Sequence, residues 1–265
     1  MRRLLLVLVL VLVVLALLVQ RVGSPLRSSP PATTTVTVER IERIDRDEGG
    51  GAVRGVAPDG RAEFVYTLED WRAWAEEHLE ASLGGPVRIA DQAMPPDTFH
   101  GFGAAALAPD GERLFLAAGT YAVLTTVSVV GALDTRSRDF EAVGEPARGD
   151  VGEVAWSPDG RFVAYTLDSA RAHGDGLRVD DMRALEMVRS VAGEDLLEVA
   201  AASGFTVETD AREWLPEIAD LDWSGAAELT FTTADPVDEA AAEATVRWRI
   251  DADGNALRLE GATPR

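Results

Sequence analysis

Two patterns of apolar residues run along the chain, one continuous and one alternating. Behind Met1-Arg2-Arg3 come sixteen uninterrupted apolar residues, Leu4 to Val19. As a helix rising ~1.5 Å per residue the run measures ~24 Å against a hydrocarbon core of ~30 Å, and Val22 extends it while Gln20 and Arg21 snorkel. Further on, apolar residues alternate with others in Phe102 to Leu107, Arg113 to Ala117, Val154 to Trp156 and Arg161 to Tyr165, a period of two that predicts strands. A Pro-Asp-Gly turn stands between the members of each pair and also at Pro58-Asp59-Gly60; the other two are Pro109-Asp110-Gly111 and Pro158-Asp159-Gly160. Pro presets the second position of a type I turn, Asp tolerates the third, and Gly supplies the positive φ that closes a bulged hairpin. These aspartates are therefore expected to build turns rather than to act as catalytic acids.

The second half of each unit follows the same period. Gly176 to Asp180 and Glu186 to Val191 predict third and fourth strands, as do Ala244 to Ile250 and Ala256 to Leu259 around the turn Asp251-Ala252-Asp253-Gly254. Tyr121 to Val130 and Arg138 to Val143 fill those places in the Phe102 unit. A fourth unit is marked by its tryptophan, because Leu221-Asp222-Trp223-Ser224-Gly225 parallels Val154-Ala155-Trp156-Ser157-Pro158 and leads into Glu228 to Thr232. Trp156 and Trp223 are expected to pack between neighbouring sheets. Four strands recurring at roughly 45 to 50 residues make the blade of a β-propeller. The expected fold is all-β: a propeller-like array of four or five four-stranded antiparallel blades with cores near 52–68, 101–143, 152–191 and 218–260. Short helical insertions interrupt it, and one N-terminal transmembrane helix precedes it. One insertion starts at the cap Thr67 with Asp70, carries Leu68, Trp71, Ala75, Leu79 and Leu83 as its stripe, and stops at Gly84-Gly85-Pro86; a second spans Glu194 to Ala202 and ends at Gly204. They read as lids or edge covers, with a partner-binding helix as the alternative. Because the first unit gives its second half to a helix, either a strand from Thr34 to Ile41 completes a sheet or the ring closes on another chain.

The stretch Glu153-Val-Ala-Trp-Ser-Pro-Asp-Gly-Arg-Phe-Val-Ala-Tyr-Thr-Leu-Asp168 resembles the repeat of the TolB-like family, the periplasmic propellers of the Tol-Pal system, and of related WD-like propellers. In that family a Trp-Ser-Pro-Asp-Gly core precedes a basic residue and an apolar strand. The match is good for this blade and partial for the others. It implies fold more strongly than role, since propellers serve many functions. The repeat is also similar to the propellers of prolyl-oligopeptidase relatives, but no hydrolase domain is expected after the last blade.

Composition narrows the functions. Of 265 residues, 46% are hydrophobic and 26% charged, which are globular values, and the formal charge is −20. The first 35 residues hold four arginines and no acid, so the acidity lies entirely beyond them. An acidic domain repels nucleic acid and anionic headgroups, and no nucleic-acid partner is expected. Every cation is Arg, which reads first as the codon bias of a GC-rich genome and second as adaptation to salt or heat. Without Lys there is no P-loop, Schiff base or Ser-x-x-Lys chemistry, and without Cys no disulfide, thiol nucleophile, thiolate metal site or lipid-modified cysteine. No Gly-x-Ser-x-Gly elbow occurs. His78, His100 and His173 lack the spacing that puts two imidazoles on one zinc. No catalytic residue, metal or cofactor is expected, and the protein reads as a non-enzyme. The candidate ligand-binding residues are His100, Asp168, Arg171, His173 and Asp175, because the second-to-third connection Asp168 to Asp175 opens on the same propeller face as the fourth-to-first loop Asp97 to His100. An ordinary polar hairpin loop is the alternative; a calcium site lacks its regular alternation of acids.

The N-terminal run reads as an uncleaved anchor rather than a removed signal, because the nearest small-residue site, Val22-Gly23-Ser24, places Pro25 after the cut. Arg2 and Arg3 form the cytoplasmic positive end rather than a twin-arginine signal. The expected organisation is an anchor at 1–22, a Pro/Ser/Thr-rich linker at 23–35 and an extracytoplasmic (periplasmic) domain at 36–265, single-pass in the cytoplasmic membrane. The expected role is non-enzymatic binding or scaffolding with a protein partner or ligand of the cell envelope. Its alternatives are an accessory or substrate-gating subunit of an envelope hydrolase or peptidase and, third, a sensor domain.

Overall fold

The computed structural model describes residues 41–89, 91–122, 125–168, 176–203, 218–234 and 244–264. The apolar run and the linker lie outside the described residues. Among the described residues no helix is long and apolar enough to cross a membrane.

Four antiparallel sheets follow one another along the chain. The first joins β1 (Arg43–Arg46), β2 (Ala52–Val56) and β3 (Ala62–Thr67) in that order. After helix α1 (Leu68–Leu83) and a small hairpin of β4 (Arg88–Ile89) and β5 (Gln92–Ala93), the second sheet is formed by β6 (Phe99–Leu107), β7 (Arg113–Ala122) and β8 (Thr125–Asp134). Two short strands, β9 (Phe140–Ala142) and β10 (Ala147–Arg148), pair with different stretches of β8. The third sheet runs β11 (Asp150–Trp156), β12 (Phe162–Asp168), β13 (Leu177–Asp181) and β14 (Glu186–Val191). Helix α2 (Gly193–Ala202) then leads to the last sheet, β15 (Ile218–Trp223), β16 (Glu228–Ala234), β17 (Ala244–Asp251) and β18 (Ala256–Pro264).

Two of the sheets depart from the four-stranded expectation. The first has three strands among the described residues, with Arg43–Arg46 on the free edge of β2; of the expected strand Thr34 to Ile41, all but Ile41 lies outside the described residues. The fourth strand of the second sheet is split into β9 and β10.

The capping chemistry of α1 is complete. Thr67 Oγ1 accepts the Asp70 N–H at 3.1 Å, the Asp70 carboxylate accepts the Thr67 N–H at 2.8 Å, and Gly84 ends the helix at φ 70°. Its buried stripe of Leu68, Trp71, Ala75 and Leu79 enters the first core, with Trp71 against Phe99 at 4.7 Å and Trp74 edge-on to Phe140 at 4.7 Å. Helix α2 has half a box: Asp195 accepts the Ala192 N–H at 2.8 Å, but alanine has no acceptor to return.

Three apolar cores separate the four sheets. The first lies between sheets one and two and includes α1; the second, around Phe115, Val130, Tyr165 and Leu167, lies between sheets two and three; the third, around Phe162, Trp223, Phe231 and Trp248, lies between sheets three and four and includes α2. The inner sheets bury both faces. On β7, Leu114, Leu116 and Ala118 enter the first core while Phe115 and Ala117 enter the second, and on β12 Phe162 and Ala164 face opposite to Val163, Tyr165 and Leu167. The end sheets bury one face: Leu229 and Phe231 are buried on β16 while Glu228 is exposed, and on the first sheet Val53 and Tyr66 are buried while Arg54 and Val65 are exposed. Sheets stacked face to face through their meandering strands pack as propeller blades do. The first and last sheets share no extensive contact among the described residues.

Candidate functional site

The stack has two ends of different character. At one end lie the first-to-second and third-to-fourth turns. In each Pro-Asp-Gly turn the Gly N–H returns to the residue before Pro: Gly60 to Ala57 O at 2.9 Å, Gly111 to Ala108 O at 2.9 Å and Gly160 to Ser157 O at 2.8 Å. The three glycines have φ of 84°, 73° and 65°. The aspartates accept backbone N–H groups two residues on, Asp59 from Arg61 at 2.9 Å, Asp110 from Glu112 at 2.9 Å and Asp159 from Arg161 at 3.0 Å. Ser157, fully buried, adds a bond from its hydroxyl to Asp159 at 2.7 Å and accepts the Phe162 N–H at 2.9 Å.

A second repeated turn joins strands three and four. Asp134 Oδ1 accepts the N–H groups of Arg136 and Ser137 at 2.8 and 2.7 Å, Asp181 Oδ1 those of Arg183 and Ala184 at 2.9 and 3.0 Å, and Asp251 Oδ1 those of Asp253 and Gly254, both at 3.1 Å. In all three turns the fourth residue after Asp is left-handed: Arg138, Leu185 and Asn255, at φ 67°, 57° and 50°. Burial opposes ionisation of Asp134, Asp159 and Asp181, but the hydrogen bonds and neighbouring arginines outweigh it, and all three carboxyls lie below the usual range.

Arginines that follow the Pro-Asp-Gly turns tie this end together across sheets. Arg113 donates to Gly160 O at 2.6 Å and lies 5.7 Å from the Trp156 ring centre. Arg161 donates to Asp181 and to Asp253 of the last sheet, both at 2.8 Å. The tryptophans bond the neighbouring first strands directly, Trp156 Nε1 to Ala106 O at 2.9 Å and Trp223 Nε1 to Ala155 O at 3.1 Å, and Trp223 stacks on Phe162. The aspartates of these turns are thus occupied by the backbone and by arginine.

Inside the second core lies an ion pair that sequence reasoning missed. Arg178, its side chain 2% exposed, donates to Asp180, fully buried, at 2.7 Å and to Glu145 O in the gap between β9 and β10 at 2.8 Å. Tyr165 donates to the other Asp180 oxygen at 2.7 Å. Burial drives the Asp180 carboxyl upward, against the pull of Arg178 and Tyr165. The signal was present as two charged residues alternating on a strand, Arg178 and Asp180, but alternation of charge reads equally as a solvated face.

The opposite end carries the second-to-third and fourth-to-first connections. His100 is exposed near the start of β6, and Asp168 is exposed at the last position of β12, directly across from exposed Asp150. Thr126 bonds Asp150 at 3.3 Å. Topology brings His100 and Asp168 to one end of adjoining sheets; Arg171, His173 and Asp175 lie outside the described residues. Among the described residues no cluster of three or more metal-ligating side chains occurs.

No protein-family model matches the sequence, and no curated protein matches it significantly. Solved structures do match at the level of shape. The β-propeller domain of the Trilobed protease from Pyrococcus furiosus is 13% identical, with a TM-score of 0.34 over 58% of this chain and 40% of its own. Pyrococcus horikoshii acylaminoacyl peptidase is 8% identical, with a TM-score of 0.40 over 78% of this chain and 27% of its own. The chain spans less than half the length of either of these chains and is similar to them only distantly.

Proposed function

We propose that the chain is a non-enzymatic, propeller-type binding or scaffolding module of the cell envelope, held outside the cytoplasmic membrane by residues 1–22 through the linker 23–35. It binds a protein or envelope ligand through the end that carries His100, Asp168 and the connections between second and third strands. The observation that carries this reading is the asymmetry of the two ends. One is bound up in backbone–carboxylate turns and arginine ties between sheets, while the other presents exposed polar groups on the ends of buried strands, the arrangement that suits recognition by loops on a firm scaffold. The Trp-Ser-Pro-Asp-Gly resemblance to TolB-like propellers supports the same role. The test is a pull-down from solubilised membranes with the full chain and with a variant in which His100, Asp168, Arg171, His173 and Asp175 are all alanine. The expected result is a discrete partner lost in the variant while its melting temperature is kept; equal capture by both forms refutes the assignment to this end.

A further inference from the structure

The outer face of the last sheet, which no other sheet covers among the described residues, holds a group of arginines that internal needs do not explain. Arg249 on β17 stands directly opposite Arg258 on β18, and Arg247 lies two residues back on the same face, ~7 Å along the strand. Like charges placed directly across a sheet repel and destabilise the pairing. Among the described residues two glutamates reach them, and both are spent on one arginine: Arg249 bonds Glu228 at 3.3 Å and Glu260 as well. Arg247 and Arg258 are exposed and make no ion pair or hydrogen bond among the described residues. The three guanidinium groups line an open depression of about 580 Å³ together with Leu259, Glu260 and Gly261. Glu260 is the additional residue where the register shifts between Arg247 and Trp248, and its carboxylate pairs with Arg249.

We propose that this face receives an extended, acidic segment of a partner protein, with carboxylates on alternate residues meeting Arg247 and Arg258 as Glu228 and Glu260 already meet Arg249. The alternation follows from the geometry, since an extended segment repeats its side chains every ~7 Å on one side, close to the ~7 to 8 Å of a diagonal cross-strand pair such as Arg247 and Arg258. The chemistry follows from the guanidinium fork, which pairs carboxylates through two parallel hydrogen bonds. The protein's overall charge of −20 does not prevent this, because at physiological salt a charge is screened over ~8 Å and the nearest arginines dominate. The site is distinct from the loop-bearing end and stands or falls separately from it.

The experiment measures fluorescence anisotropy of a labelled synthetic peptide of alternating glutamate and threonine with the full chain at physiological salt. Arg247→Ala and Arg258→Ala are each expected to weaken binding roughly tenfold, and Arg54→Ala, an exposed arginine on the outer face of the first sheet, to leave it unchanged. Circular dichroism checks that each variant folds. Equal weakening by Arg54→Ala, absence of saturable binding, or full competition by inorganic phosphate overturns the proposal. So does arginine-dependent dimerisation in light scattering, which assigns the face to a second copy of the chain.

Discussion

Removal of the Asp180 carboxylate is the sharpest probe of the stack. In Asp180→Ala the Arg178 guanidinium stays inside the second core with the Glu145 carbonyl as its remaining acceptor among the described residues. Breaking a buried pair from one side costs about 3 to 5 kcal/mol, because one charge is left without its counterion in a medium that solvates it poorly. Removing both charges in Arg178→Met with Asp180→Leu relieves that penalty; the Tyr165 bond to Asp180 is lost in both variants alike, and the double variant gives up in addition only the bond to Glu145 O, about 0.5 to 1.5 kcal/mol. The double variant is therefore expected to be more stable than the single one by at least about 1 kcal/mol, and within reach of the parent. Urea unfolding followed by tryptophan fluorescence reads the difference. With a slope of ~2 kcal/mol per molar, a loss of about 3 kcal/mol moves the midpoint down by ~1.5 M. A single variant within about 1 kcal/mol of the parent, or a double variant no more stable than the single, refutes the view of Arg178 and Asp180 as a desolvated pair.

Three further outcomes are expected. Asp134, Asp159 and Asp181 have depressed carboxyl pKa values, so the unfolded chain binds protons that the folded one refuses; their contribution is complete above the ordinary Asp value of ~3.9 and is lost as pH falls below it through the folded values. Urea midpoints taken on descending pH should therefore drop in that window, and Asp134→Asn should flatten the drop. Arg138→Gly should raise stability by about 0.5 to 1 kcal/mol in thermal melts by relieving a left-handed residue, whereas Arg136→Gly two residues earlier should lower it. Gly131→Ala should destabilise by about 1 to 3 kcal/mol, because a Cβ there would lie 2.2 Å from Glu141 O and force β8 and β9 apart; a neutral result in denaturation would contradict that register.

Features whose chemistry sits in adjacent residues were legible from the sequence. The Pro-Asp-Gly hairpins belong here, as does the Thr67 and Asp70 box of α1, because a turn or a cap is decided by a few neighbouring dihedrals. The second turn repeat escaped notice because its left-handed position is filled by Arg138, Leu185 and Asn255 rather than glycine, so that only its opening aspartate is shared, a residue common throughout this acidic chain. The charged run Arg43–Arg46 was not foreseen as a strand, because its extended form comes from pairing with β2 rather than from propensity. The arginine ties join residues far apart in the chain, and nothing local announces them, whereas Arg178 and Asp180 stand two residues apart and their alternation reads equally as a solvated face. At the candidate site, the shared end of His100 and Asp168 followed from strand count alone, while proximity of their side chains is a matter of distances that no periodicity contains.

Each of the three cores belongs to one pair of neighbouring sheets, and this shapes how the molecule comes apart. Release of the last sheet wets the core of Phe231 and Trp248 and leaves the other two dry, whereas disruption of an inner sheet opens a core on both sides. Stability is then a sum of neighbour terms, as in a linear chain of coupled spins, and fraying enters from the ends. A lesion's position in the stack, as much as its local severity, sets how much of the protein it unfolds.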